Sequence, residues 1–124
     1  ETFCADLFDY LKNLALKKNK EYDLIILDPP AFTKSKSTIK NALRGYQEIN
    51  YLAMKCLPRG GYLVTASCSH YASEEDFTAA IFAASLKAGV NLRVVKKAYA
   101  AFDHPELMGV DETKYLKFFI FQVV

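Results

Sequence analysis

The sequence predicts an α/β domain: a mostly parallel sheet with helices on both faces and one antiparallel strand at its C-terminal end. Short apolar runs alternate with longer amphipathic segments, the pattern of parallel strands joined by helical crossovers. The last two apolar runs follow each other with no helix between them, which calls for one antiparallel member. At 124 residues and 52% hydrophobic, the chain has the size of one small globular domain.

The opening Thr2-Phe3-Cys4-Ala5-Asp6 reads as the end of a strand already under way, and no initiator Met precedes it, so residues 1–124 are expected to be a piece of a longer protein. From Asp6 to Leu16, the residues Leu7, Tyr10, Leu11 and Leu14 recur at helical spacing, and the run Lys17-Lys18-Asn19-Lys20 closes that helix. Tyr22 to Leu27 is a compact run of branched apolar residues, expected as a strand buried on both faces and stopped by Asp28-Pro29-Pro30. A long helix follows from Thr38 to Leu57, with Ile39, Ala42, Leu43, Tyr46, Ile49, Ala53, Met54 and Leu57 on one side, ending at Pro58-Arg59-Gly60-Gly61. Tyr62 to Ala66 is a second buried strand that runs into Ser67-Cys68-Ser69-His70. Ser73 starts the next helix as an N-cap, with Glu74, Glu75 and Asp76 in its first turn and Phe77, Ala80, Ile81, Ala84 and Leu86 on its buried side; Gly89 ends it. Asn91 to Tyr99 and Tyr115 to Val123 are the last two strands, joined by a polar loop.

Composition narrows the function classes. A net charge of +2 does not by itself announce a nucleic-acid partner, although lysines cluster at 17–20 and 34–40; the first cluster reads as a solvated helix end. Three cysteines, odd in number and far apart, exclude a secreted disulfide framework and point to a reducing, cytoplasmic setting. No apolar run approaches the roughly twenty residues that span a bilayer, so no membrane partner is expected.

In an open parallel sheet, ligands bind beyond the carboxyl ends of the strands, and two polar motifs fall there. Asp28-Pro29-Pro30-Ala31-Phe32 follows the first strand; two prolines stiffen a loop that suits a planar base, or they simply end the strand and turn the chain. Cys68 follows the second strand. A thiolate is the strongest side-chain nucleophile near neutral pH, whereas the commoner fate of a free cysteine, expected here for Cys4 and Cys56, is burial as a small apolar residue. Cys68, His70 and His104 lack the paired spacing of zinc ligands, so no metal is expected. A Cys-His hydrolase using His70 or His104 lacks an orienting third group and leaves Asp28-Pro29-Pro30 unexplained.

Six motifs occur in one order along the chain: Asp28-Pro29-Pro30-Ala31-Phe32, Arg44-Gly45-Tyr46 with Asn50, Pro58-Arg59-Gly60-Gly61, Ser67-Cys68-Ser69, Asp103-His104-Pro105 and Glu112-Thr113-Lys114-Tyr115-Leu116-Lys117. In that order the chain resembles the bacterial 23S ribosomal RNA (cytosine-5)-methyltransferases, in which a PUA domain precedes a catalytic domain. The resemblance implies that residues 1–124 form the C-terminal portion of a Rossmann-like class I S-adenosylmethionine-dependent methyltransferase domain, with the glycine-rich cofactor loop and the RNA-binding domain outside them. It implies S-adenosylmethionine as cofactor and ribosomal RNA as substrate. Asp6 matches the acid that contacts the adenine amino group, with Leu7 and Phe8 beside the ring; Asp28 matches an acid near both the cofactor's methionine end and the target base; Cys68 matches the nucleophile. Pro29, Pro30 and Phe32 would then contact the base, and Arg44 and Lys34, which flank that loop, would meet phosphate or remain surface charges. Some related enzymes carry a second cysteine directly after the two prolines; here that position is Ala31.

Two rival readings accompany this one. Enzymes that methylate exocyclic nitrogens of RNA or DNA also use an Asp-Pro-Pro loop with an aromatic residue, and they need no thiol. Alternatively, residues 1–124 alone are an inert half-domain whose unpaired sheet edge invites pairing with a second copy.

Overall fold

The computed structural model describes residues 1–17, 19–33 and 35–124. The elements are α1 (Leu7–Ala15), β1 (Leu24–Leu27), α2 (Ile39–Cys56, entered through a 3-10 turn at Lys36–Thr38), β2 (Tyr62–Ser67), α3 (Glu74–Ala88), β3 (Leu92–Ala98) and β4 (Lys117–Val123), with a further 3-10 turn at Asp111–Thr113. Local chemistry sets their ends. The Asp6 carboxylate accepts the Asp9 amide at 3.0 Å and caps α1. The Ser73 hydroxyl accepts the Asp76 amide at 3.0 Å and caps α3, and Gly89, at φ +71°, takes the left-handed conformation that ends the same helix. Residues 1–6 form no strand and are exposed; among the described residues no neighbouring strand pairs with them.

The sheet has four strands in the order β1-β2-β4-β3. β1 and β2 pair in parallel, and β4 inserts antiparallel between β2 and β3, so the last strand is the antiparallel member, as the sequence predicts. β3 carries a register shift between Val94 and Lys96.

Leu11 and Leu14 of α1, Tyr46, Ile49 and Ala53 of α2, and Phe77, Ile81 and Ala84 of α3 share one core with Leu27, Leu63, Phe119, Phe121 and Val123. Those strand residues all belong to one sheet face, since Leu63 pairs with Phe121 and Leu27 and Phe119 both pair with Thr65. The expected helices on both faces are therefore not what the described residues form: all three helices line one face. On the other face Leu24 and Ile26 are 51% and 63% exposed, so β1 is not buried on both sides. An all-apolar strand is compatible with two covered faces, but it does not say what covers the second. Two smaller expectations also change. Leu86 is exposed, because the buried stripe of α3 runs through Ala80, Ile81, Ala84 and Ser85. Cys4 is exposed, whereas Cys56 is buried as expected, with its thiol donating to the Leu11 carbonyl at 3.5 Å. No helix among the described residues is long and apolar enough to cross a membrane.

Candidate active site at the carboxyl edge of the sheet

The final pair of the parallel ladder is Leu27 with Thr65, so β1 and β2 leave the sheet side by side at the same edge. From that edge β1 continues into Asp28-Pro29-Pro30, and β2 continues through Ser67 into Cys68. The sulfur-bearing residue is exposed; Pro29 is buried, and Asp28 and Pro30 are exposed. Among the described residues the Asp28 side chain makes no hydrogen bond or ion pair, which leaves its carboxylate open to a ligand.

A buried phenol ties the two loops to the core. Tyr46 is fully buried on α2; its oxygen accepts the Ser67 hydroxyl at 2.9 Å, and its ring meets the Phe32 ring edge-on at 4.7 Å. Burial pushes the Tyr46 hydroxyl above the ordinary phenol range, while Ser67 and the Phe32 amide pull it back. The preceding Gly45 also lies against the Phe32 ring, 3.4 Å from where a Cβ would sit. Asn50, one turn on, donates to the Tyr46 carbonyl at 2.8 Å. Beyond Phe32, the buried Thr33 hydroxyl bonds to Thr38 and to the Ser35 backbone, which fixes the turn into α2.

The Cys68 side of the edge is anchored by a lysine. Lys117 is only 4% exposed, and its ammonium donates to the Ser69 and Tyr115 carbonyls, the latter at 2.9 Å. Burial pushes its pKa down, and Cys68 and then Glu74 pull it back up. Tyr46 and Lys117 thus bond to the two chain neighbours of Cys68, Ser67 and Ser69.

The other expected residues divide. Phe8, expected beside the cofactor, packs its ring 6.3 Å from that of Phe32, expected beside the base, so the two sites adjoin. Phe32 in turn leans on Tyr46 and the core and is half-buried; one side of its ring is committed to the fold. Asp6 and Leu7 lie at the exposed start of α1, where Leu7 lines a cleft of about 200 Å³ with Tyr10, Tyr22 and β1. Arg44 is not brought to this edge: it lines a separate groove between α2 and α3 with Gln47, Asp76 and Ala83. Its place on α2, two residues before the inward-facing Tyr46, turns it outward. Lys34 lies outside the described residues. His70 is exposed and stacks on Tyr71 at 3.8 Å, and His104 pairs with Asp103 at 3.1 Å in the exposed β3–β4 loop. Among the described residues, no three of His, Cys, Asp and Glu cluster to hold a metal ion.

The sequence pattern places Tyr46 on the helix core and Lys117 at the end of a motif, with no role at the site for either. Both carry a legible signal. Tyr46 puts a hydroxyl on the apolar stripe of a helix, and Lys117 falls in the period-two row of Phe119, Phe121 and Val123, the row that faces the core.

Over 119 residues the chain is 39% identical to a Methanocaldococcus jannaschii protein assigned as a ribosomal RNA large subunit methyltransferase. It is 35% and 37% identical to ribosomal RNA large subunit methyltransferase I of Shigella dysenteriae and Yersinia pestis. Its relatives are ribosomal RNA methyltransferases. Each match covers 96% of this chain and 30% of the relative, so the chain spans under a third of their length. Among solved structures it matches a protein assigned as a methyltransferase and crystallised with S-adenosylhomocysteine (TM-score 0.78, 22% identity, 96% of this chain and 30% of that one). A Streptococcus mutans protein assigned as an S-adenosylmethionine-dependent methyltransferase matches with the same TM-score, over 97% of this chain. The chain therefore shares the Rossmann-like α/β fold of these solved proteins. No protein-family model matches the chain.

Proposed function

We propose that this chain is the C-terminal part of the catalytic domain of a cytoplasmic, S-adenosylmethionine-dependent methyltransferase that modifies C5 of a cytosine in ribosomal RNA, with Cys68 as covalent nucleophile. The observation that carries this reading is the exposed thiol one residue beyond β2, beside the Asp28-Pro29-Pro30 loop on the parallel neighbour strand.

The residues present fit the cofactor. One Asp6 oxygen is used in capping α1, which leaves the other to accept an adenine amino group, and Leu7 and Phe8 offer apolar surface next to it. When bound, the cofactor supplies an electrophilic methyl group on a sulfonium centre. Cytosine C5 is too weak a nucleophile to accept that methyl unaided. The Cys68 thiolate adds to C6, forming a carbon–sulfur bond and moving the ring electron pair onto C5; after methyl transfer, loss of the C5 proton and expulsion of the thiolate restore the aromatic ring. Asp28 is the group that hydrogen-bonds the exocyclic amine and holds the ring edge while the adduct forms. Pro29 and Pro30 wall the base, and the open edge of the Phe32 ring completes that wall. A base in structured RNA must be unstacked to reach this edge.

Cys68→Ala in the full-length protein abolishes methylation under this reading, and RNA containing 5-fluorocytosine leaves a denaturation-resistant protein–RNA adduct. Unchanged methylation by Cys68→Ala would instead move the target to an exocyclic nitrogen, which the Asp28-Pro29-Pro30 loop also suits. For residues 1–124 alone, we propose that the free β1 edge and the uncovered face leave cofactor binding weak or absent and favour pairing of two copies. Calorimetry showing tight S-adenosylmethionine binding by the isolated chain, or sedimentation showing only monomer, overturns the corresponding half of that statement.

A further inference from the structure

Lys117 has no partner that accounts for its charge. A buried ammonium is costly unless compensated, yet among the described residues its hydrogen bonds go to two neutral carbonyls and no carboxylate lies within ion-pair distance. Glu74 of α3, which lines the same cleft, is already engaged by Lys97 at 2.8 Å and by the Tyr99 hydroxyl at 2.9 Å. One of the three N–H donors of Lys117 remains without an acceptor in the hydrogen-bond pattern.

The position of this charge is set by the sheet. Lys117 is the Cα partner of Ser67 across the β2–β4 ladder, and its ammonium reaches the carbonyl of Ser69, so it brackets Cys68 from both chain neighbours. It also lines a cleft of about 500 Å³ next to that loop. The titratable groups around the cleft are His70, Glu74, Tyr99, Glu106, Asp111 and Lys114, and Tyr46 of α2 bonds to Ser67, the residue before Cys68.

We infer that Lys117 is a positioning residue for Cys68: its buried ammonium holds the Ser67-Cys68-Ser69 loop by the Ser69 carbonyl and supplies the counter-charge against which the thiolate forms. The thiol proton passes to solvent and the sulfur keeps the electron pair, so no further reactant is needed. The same charge faces the sulfur again when the thiolate is expelled from the methylated ring. This role rests on the proposal that Cys68 is the nucleophile.

The test is alkylation of Cys68 by iodoacetamide in the full-length protein without RNA, followed by peptide mass spectrometry across pH. In the unaltered protein Cys68 should react at neutral pH at least about ten-fold faster than free glutathione, since a fixed neighbouring cation stabilises the thiolate as it forms. Lys117→Met and Lys117→Gln should each lose about that factor. Glutamine keeps an N–H donor on a side chain one bond shorter and removes the charge, so a Lys117→Gln profile superimposed on that of the unaltered protein overturns the inference. Equal rates for Cys68 and glutathione overturn it with no variant required. Methylation retained in Cys68→Ala would sink the covalent reading instead, and it leaves the alkylation result readable by itself.

Discussion

The two faces of the sheet are made from the same kinds of residue and have opposite surroundings. On the helix side Leu63 and Phe119 are fully buried, and a chain of rings runs Phe8, Phe32, Tyr46, Phe77, Phe119, Phe121 with neighbouring centroids 4.7 to 6.3 Å apart. On the other side Leu24, Ile26 and Tyr62 face outward with at least 40% of their surface exposed. Only the first face is a closed core in this chain; the second is apolar surface awaiting cover. The candidate site inherits that asymmetry: its loops are braced from the helix side by Tyr46 and Lys117.

The largest expected effect tests the closed face. Phe119→Ala removes a ring packed against Phe77 and Phe121 and should cost about 3–5 kcal/mol in urea unfolding. Equal costs for Phe119→Ala and Ile26→Ala in residues 1–124 would erase the distinction between the faces. A second measurement sharpens it: Ile26→Ala should cost about 0.5 kcal/mol or less in the isolated chain and, on the proposal that a longer protein covers that face, about 2–5 kcal/mol in the full-length protein. Tyr46→Phe keeps the ring and strands the buried Ser67 hydroxyl, so a loss of about 1–3 kcal/mol is expected, together with slower Cys68 alkylation as the loop loosens.

The smallest effect lies at the rim. Glu74 is held below the ordinary carboxylate range, first by the Lys97 hydrogen bond and further by Tyr99. A carboxyl depressed on folding stabilises the protein above its unfolded pKa and loses that contribution as pH falls through the lowered value. Glu74→Gln should therefore melt slightly below the unaltered protein at pH 7, and the two should converge in acid. A gap that persists below the Glu74 titration would assign the effect to packing.

Legibility in the sequence followed how local the cause was. Ser73 and Gly89 bound α3 through contacts within a few residues, and both were readable as caps. The Asp28-Pro29-Pro30 and Ser67-Cys68-Ser69 motifs are legible as edge loops because apolar strands immediately precede them. The place of Arg44 is not legible from its proximity in sequence to the proline loop, because the turn of α2 points it into another groove. The structural weight of Tyr46 and Lys117 escaped because each acts on residues about 21 and 48 positions away, through contacts that exist only once strands and helices have met.

By itself the sequence determined the order and type of the elements, the antiparallel character of the last strand and the meeting of two polar loops at one edge, because periodicity, caps and proline breaks act over short stretches of chain. Only the tertiary structure decided that β4 inserts between β2 and β3, that all three described helices share one face, and that a buried phenol and a buried ammonium flank Cys68. Those outcomes depend on which surfaces exclude water together, and a surface is a property of the packed chain.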